Sequence, residues 1–355
     1  MHYDEAIKHC IFRYLSGSHA YGMNTPESDE DYRGVFVAPM INAFRLFQGN
    51  WIGQGSVGQH LRNALESLRL GEHQGAKDRI KEALEEDQGD LKWSVQTVQR
   101  PGHDEELHEL RKFMKLATEC NPNIIEFLFV EKGISYSTPA WEEIRENNRL
   151  FLSKRARYTF GCYAAAQLRR IENHRRYLLM PPKAKPERKA FGLSEGSKIR
   201  KEHQHAILAL PLEHASEEKR DEVRREQAYN TALRDWKDYQ KWAKERNPKR
   251  KELEAKVGYD AKHAAHLVRL LRMAYEILSE GKVIVFRPDA EELLDIRQCR
   301  WPYDKLIAHV NEMEKKIEEA DKVSALPKGP NHGEIADLYL EVVEEHYGIT
   351  LDHGD

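Results

Sequence analysis

Asp29 and Asp31 flank Glu30 in the run Ser28-Asp29-Glu30-Asp31-Tyr32, and eleven residues ahead of Asp29 stands the pair Gly17-Ser18. Carboxylates at i and i+2 share a face of an extended backbone. Two anions that close repel unless a cation sits between them. Gly17-Ser18 offers the complementary chemistry. With no side chain at Gly17 the backbone can approach a phosphate, and Ser18 adds a hydroxyl and an N–H as donors. Taken singly, a Gly-Ser pair is ordinary turn material and an Asp-x-Asp run is ordinary solvated loop. Together, a phosphate-gripping turn and a paired-carboxylate metal site are the minimum equipment for phosphoryl or nucleotidyl transfer.

The surrounding pattern says what positions them. Residues 2–10 predict a short opening helix, and the apolar run Ile11 to Leu15 a strand that ends at the glycine. Tyr32 to Val37, β-branched and aromatic, predicts a second strand with the two aspartates at its start. The loop between, with Pro26 and Ser28, has no helical period. Glycines at 53, 55 and 58 open a changed segment, and two amphipathic patterns in 51–90 predict a helical hairpin inserted into the catalytic domain. Trp93 to Val98 alternates as a strand does. His103-Asp104-Glu105-Glu106 then predicts the opening of a helix carrying Leu107, Leu110, Phe113, Met114 and Ala117, with Asp104 fit for its N-cap. Ile124 to Val130 is apolar enough to be buried, as helix end or strand, so Glu126 within it needs a partner such as an Arg or Lys. A short helix over 139–148 follows.

From about 150 the pattern is helical: 151–179, closed by Pro181-Pro182, then a charged stretch over 216–256 with an aromatic seam, then Tyr259 to Leu271. A strand-like Val283–Phe286 precedes helices from Asp289, through 303–322 and through 333–346. These elements predict an α/β (α+β) sheet domain over residues 1–150, interrupted by the insert, followed by a larger all-helical domain over 151–355.

The whole chain has 355 residues, 40% hydrophobic and 32% charged, enough for two domains. Lys and Arg total 56 against 59 Asp and Glu, so any nucleic-acid contact must be local rather than a whole-protein field. The densest local excess is Arg169, Arg170, Arg175, Arg176, Lys183 and Lys185, continuing to Arg188 and Lys189. It suits an RNA or DNA end, or is simply a solvated face. Cys10, Cys120, Cys162 and Cys299 are scattered without metal-like spacing, as in reduced cytosolic proteins. No run reaches the ~20 apolar residues that span a bilayer, and the N-terminus has no secretory pattern, so a cytoplasmic location is expected. Lys262, His266 and Arg269 lie at i, i+4 and i+7 of a predicted helix, either a clamp for a triphosphate or a solvated polar face.

The string GSHAYGMNTPESDEDYRGVFV resembles the signature of the DNA polymerase β nucleotidyltransferase superfamily, in the stand-alone bacterial and phage branch that includes RNA-ligase-associated members. The resemblance covers most of the chain, with 51–90 and 200–256 as departures. It implies metal-dependent transfer of a nucleoside monophosphate from a nucleoside triphosphate to an acceptor hydroxyl. Asp29 and Asp31 would hold two Mg²⁺ ions, and Gly17 and Ser18 would hold the phosphates. A third acid is placed between a strand and the segment Asn121-Pro122-Asn123-Ile124-Ile125-Glu126, which selects Asp104, with Glu105 and Glu126 in reserve. The helix bearing Lys262, His266 and Arg269 would pack over the nucleotide cleft. A nucleic-acid end is the expected acceptor. A protein or small molecule is the alternative, and so is a catalytically degenerate binding module.

Overall fold

The computed structural model describes residues 2–38, 97–196, 198–210, 214–245 and 248–347. The expected insert over 51–90 and the Trp93 end of the third strand lie outside them. Five strands form one sheet: β1 (Cys10–Leu15), β2 (Tyr32–Phe36), β3 (Thr97–Gln99), β4 (Glu105–Glu109) and β5 (Ile134–Ser137), in the order β3-β4-β2-β1-β5. Among the described strands only β2 and β4 run parallel. The other neighbours, β1 with β2, β1 with β5 and β3 with β4, are antiparallel.

The register puts the two ends of the sheet to different uses. Tyr32 pairs with Glu105 at one end, so Asp31 and Asp104 sit just before adjacent strands. At the other end Val35 and Thr97 both pair with His108, which sets the exit of β2 level with the entry of β3.

One face of the sheet carries Phe12, Tyr14 and Val35 into the main core, where Phe12 stacks on Trp141 with ring centroids 4.3 Å apart and Phe127 meets Tyr14 edge-on at 5.0 Å. The other face closes over a small cluster of Ala6, Cys10, Phe36, Ala38, Val98 and Leu107. The helical part is built around Ala261–Glu280, buried along most of its length and packed against Arg155–Leu179, Tyr303–Val323 and Ala290–Arg297. His332–Tyr347 returns to the sheet end of the molecule against Pro139–Glu146 and Leu110–Thr118. The main apolar core runs without a break from the sheet into these helices.

Sheet first and helices after is the expected architecture, and two elements differ from expectation. The residues 103–109 do not open a helix: Glu105–Glu109 is β4, and the helix starts at Leu110 with Glu109 accepting from the Lys112 N–H at 3.2 Å. Glu105 and Glu106 tolerate a central strand because Arg13 and Arg33 neutralise them at 2.6 and 2.7 Å. Val283–Phe286 is not a strand; it crosses the Tyr21-Gly22 turn, and the Arg287 N–H donates to the Tyr21 carbonyl at 3.1 Å. The described part of the 216–256 stretch is helical as expected, over Glu217–Glu245 and Pro248–Val257. Among the described residues no helix is long and apolar enough to cross a membrane.

Candidate active site

β1 ends at Leu15, and the chain turns at once. The Ser16 N–H and hydroxyl both donate to the Asp31 carbonyl, at 2.7 and 3.0 Å, carrying the β1–β2 pairing one residue past its last strand pair. Gly17 then adopts a left-handed backbone with φ +63° and begins a single helical turn, Gly17–Ala20. A Cβ at Gly17 would lie 2.9 Å from Oδ2 of Asp31. Glycine therefore meets two demands here, a positive φ and the close approach of an acidic side chain. The Ser18 carbonyl accepts from the Met23 N–H at 2.8 Å, which folds the rest of the turn back on itself. His19 follows, its Nε2 buried without a hydrogen-bond partner among the described residues.

Asp31 and Asp29 stand in the extended segment before β2 rather than inside the strand, which begins at Tyr32. Asp104 is brought to them by the parallel β2–β4 pair: its carbonyl accepts from the Tyr32 N–H at 2.9 Å. Because Asp104 precedes a strand, it does not cap a helix. Burial raises the Asp31 carboxyl above the usual aspartate range. A hydrogen bond to Asp104 and the charges of Asp104 and Asp29 add to the rise, and Arg33 opposes it. Carboxyls in such contact share either a proton or a cation. All three donors are hard carboxylate oxygens, the set that Mg²⁺ selects. The residues present therefore fit the metal that the resemblance implies.

The reserve acids have other work. Glu105 points to the opposite face of β4; burial would raise its carboxyl, but hydrogen bonds from Arg13 and Tyr3 hold it below the usual range. Glu126 is buried, accepts from the Tyr21 hydroxyl at 2.8 and 3.0 Å, and pairs with Arg269 at 3.2 Å. That answers its need for a basic partner.

The helix face 262–269 reaches the turn through one residue. The Arg269 guanidinium lies 3.8 Å over the Tyr21 ring, while also engaging Glu126 and, at 3.1 Å, Nδ1 of His266. Burial, and then the Arg269 charge, pull His266 down to about 3, so it is neutral at physiological pH. Lys262 is exposed. The face thus offers one buried, committed cation, one neutral ring and one solvated cation.

In the basic stretch, Arg176 pairs with Asp235, and Arg175 bonds the Gly258 carbonyl at 3.1 Å beneath the Tyr303 ring. Arg169, Arg170, Lys183 and Lys185 are exposed. Arg188 is buried against both oxygens of Glu226.

Two supports for the turn went unseen in the sequence. Phe286 packs against Gly22, and Arg287 is held by both oxygens of Glu276 at 2.7 Å and by Asp289 at 2.8 Å. Both lie in the string IVFRPDAEELLDIRQC, which shares the family resemblance without showing what either residue does.

A small mixed sheet that sets a glycine turn against clustered aspartates, with helices packed behind, defines the catalytic fold of the DNA polymerase β nucleotidyltransferases. Residues 4–180 match the family model RlaP, the RNA repair pathway DNA polymerase beta family, and the chain belongs to that family. The match takes in the whole sheet, the three aspartates and the helix to Leu179; Lys262, His266 and Arg269 lie beyond it. No curated protein and no solved structure matches the chain significantly.

Proposed function

We propose that the chain transfers a nucleoside monophosphate from a nucleoside triphosphate to an acceptor hydroxyl, most fittingly on an RNA or DNA end: the hydroxyl oxygen bonds to the α-phosphorus, the α–β anhydride bond breaks and pyrophosphate leaves. The observation that carries this is the Asp31–Asp104 contact directly beside the left-handed Gly17 turn. Asp29, Asp31 and Asp104 would hold two Mg²⁺ ions. Metal ions bound there supply charge neutralisation of the triphosphate and a lowered pKa for the attacking hydroxyl.

The chain's own residues do the rest. Gly17 and Ser18 would present backbone and hydroxyl donors to the β- and γ-phosphates. Asp104 would complete the first metal site and help take up the proton of the attacking hydroxyl. Arg269 orients the turn through Tyr21 and Glu126, and Lys262 and His266 extend that face toward the triphosphate. The family's description as a repair pathway for RNA favours a nucleic-acid acceptor. The exposed Arg169, Arg170, Lys183 and Lys185 supply phosphate contacts for it, with Arg175 and Arg176 alongside.

The test is transfer of label from each α-labelled triphosphate, with Mg²⁺, to RNA, DNA and protein acceptors, beside an Asp29→Asn/Asp31→Asn double variant. Label on nucleic acid, absent in the variant, is expected. Label on protein would replace the acceptor. Retained transfer in the folded variant would remove the metal-site assignment, and absence of both transfer and Mg²⁺-dependent triphosphate binding would leave a binding module.

A further inference from the structure

His174, Asp260 and His263 form a second cluster that the transfer chemistry does not use. Nδ1 of His174 lies 3.0 Å from Oδ2 of Asp260, and Nε2 of His263 lies 3.7 Å from the same oxygen. One ligand atom from each residue falls within 4.8 Å of the other two. We infer that these three residues bind a divalent transition-metal ion of the Zn²⁺ type, at a site separate from the three aspartates.

The donor set is the first reason. Two imidazole nitrogens and one carboxylate suit Zn²⁺ and its neighbours, whereas Mg²⁺ takes oxygens. Zn–N and Zn–O bonds of about 2.0–2.2 Å place tetrahedral ligands roughly 3.4 Å apart. The 3.0 and 3.7 Å separations bracket that spacing.

The second reason is how the ligands are held. Asp260 caps the Ala261–Glu280 helix with Oδ1, which accepts from the His263 N–H at 3.1 Å and leaves Oδ2 facing both rings. Nδ1 of His263 lies 2.7 Å from the amide oxygen of Gln167, a buried residue. An amide oxygen only accepts, so Nδ1 donates and Nε2 keeps its lone pair toward the cluster. A hydrogen-bonded second partner of this kind orients a metal-ligating imidazole.

The cluster is not free of opposing charge. Arg170 and Lys262 lie close enough to His263 to disfavour a cation, which sets the affinity below that of an all-neutral surround.

The cluster shares no residue with the three aspartates or with the proposed phosphate-binding face, although Lys262 and His266 of that face are its neighbours on the helix. His263 precedes Arg269, the residue that meets Tyr21, by six positions, about 9 Å along the helix. An ion there ties the Arg155–Leu179 helix to the start of Ala261–Glu280.

The full chain, stripped by chelator dialysis, is titrated with Zn²⁺ alone by calorimetry and with Co²⁺ by visible absorption. One equivalent is expected to bind, with the intense d–d bands of four- or five-coordinate Co²⁺. His174→Gln and His263→Gln keep a donor toward Asp260 and should each abolish the bands. Gln167→Leu should weaken binding about 10–100-fold. Asp29→Asn/Asp31→Asn should leave binding intact. Melting of each variant without metal identifies any that fail to fold. Absence of a stoichiometric site in the wild type overturns the inference, as do bands that survive in both folded glutamine variants or vanish in the double asparagine variant.

Discussion

Replacing Gly17 by alanine tests the geometry of the site at one atom. The new Cβ meets two penalties that separate cleanly. A left-handed backbone costs an L-residue about 1–2 kcal/mol, and Gly17 sits at φ +63°. The Cβ would also lie 2.9 Å from Oδ2 of Asp31, where ordinary contact begins near 3.4 Å. The obstructing atom is the far end of a side chain, so it can rotate away at little cost in stability. The oxygen it moves is the proposed metal ligand, displaced by about half an ångström. Since a misplacement of about 1 Å costs roughly 100-fold in rate, half of that costs about tenfold. Gly17→Ala should therefore melt a few degrees lower and transfer label at least about tenfold more slowly. Gly17→Asn separates the two effects, because asparagine tolerates the left-handed region but carries the same Cβ. It should recover most of the stability and little of the activity. Transfer within threefold of wild type in Gly17→Ala, or activity restored in Gly17→Asn, would refute the assignment of Asp31 to the reacting centre.

Asp31 has a raised folded pKa, so its contribution to stability is full below the ordinary value of 3.8 and is lost as pH rises through the folded value. Mg²⁺ should accordingly raise the melting temperature at neutral pH, and that gain should shrink as pH falls toward 4; a gain independent of pH would count against the site. Asp104→Asn removes a like charge but keeps a donor to Asp31, so the metal-free protein should melt higher and respond less to Mg²⁺ in the same scan. Arg269 and Glu126 are both buried, and Arg269→Met leaves a carboxylate uncompensated. Denaturant unfolding should show a loss of about 3–5 kcal/mol, most of it recovered in the Glu126→Gln/Arg269→Met pair; a double variant no better than the single would show that the two act apart.

Gly17, Ser18, Asp29 and Asp31 were legible in the sequence because their geometry is local: a turn after one strand and acids before the next. Asp104 was legible as an acid but not in its setting. Charges at 105, 106 and 109 argue for an exposed helix start, and only tertiary pairing with Arg13 and Arg33 makes a central strand of them. The same limit applies to Arg269. Its spacing from Lys262 and His266 suggests a phosphate clamp, yet its nearest acid, Glu126, is 143 positions away. Arg287 escaped notice because its role depends on Glu276, on the preceding helix, and on the Tyr21 carbonyl. Long-range pairing of buried charges leaves no periodic trace. Among the later helices, Ala261–Glu280 and Tyr303–Val323 were legible because an apolar stripe at helical spacing does leave one.

The level placement of Val35 and Thr97 opposite His108 has a consequence for how this chain can change. The two points where residues 39–96 join the sheet are two strand spacings apart, about 10 Å, at the end away from the aspartates. A segment of almost any length can close that gap, because each doubling of a loop adds only about 0.6 kcal/mol. In entropic terms the sheet therefore accepts connections of widely different length between β2 and β3, because both attachment points lie away from the end where the register aligns Asp31 with Asp104.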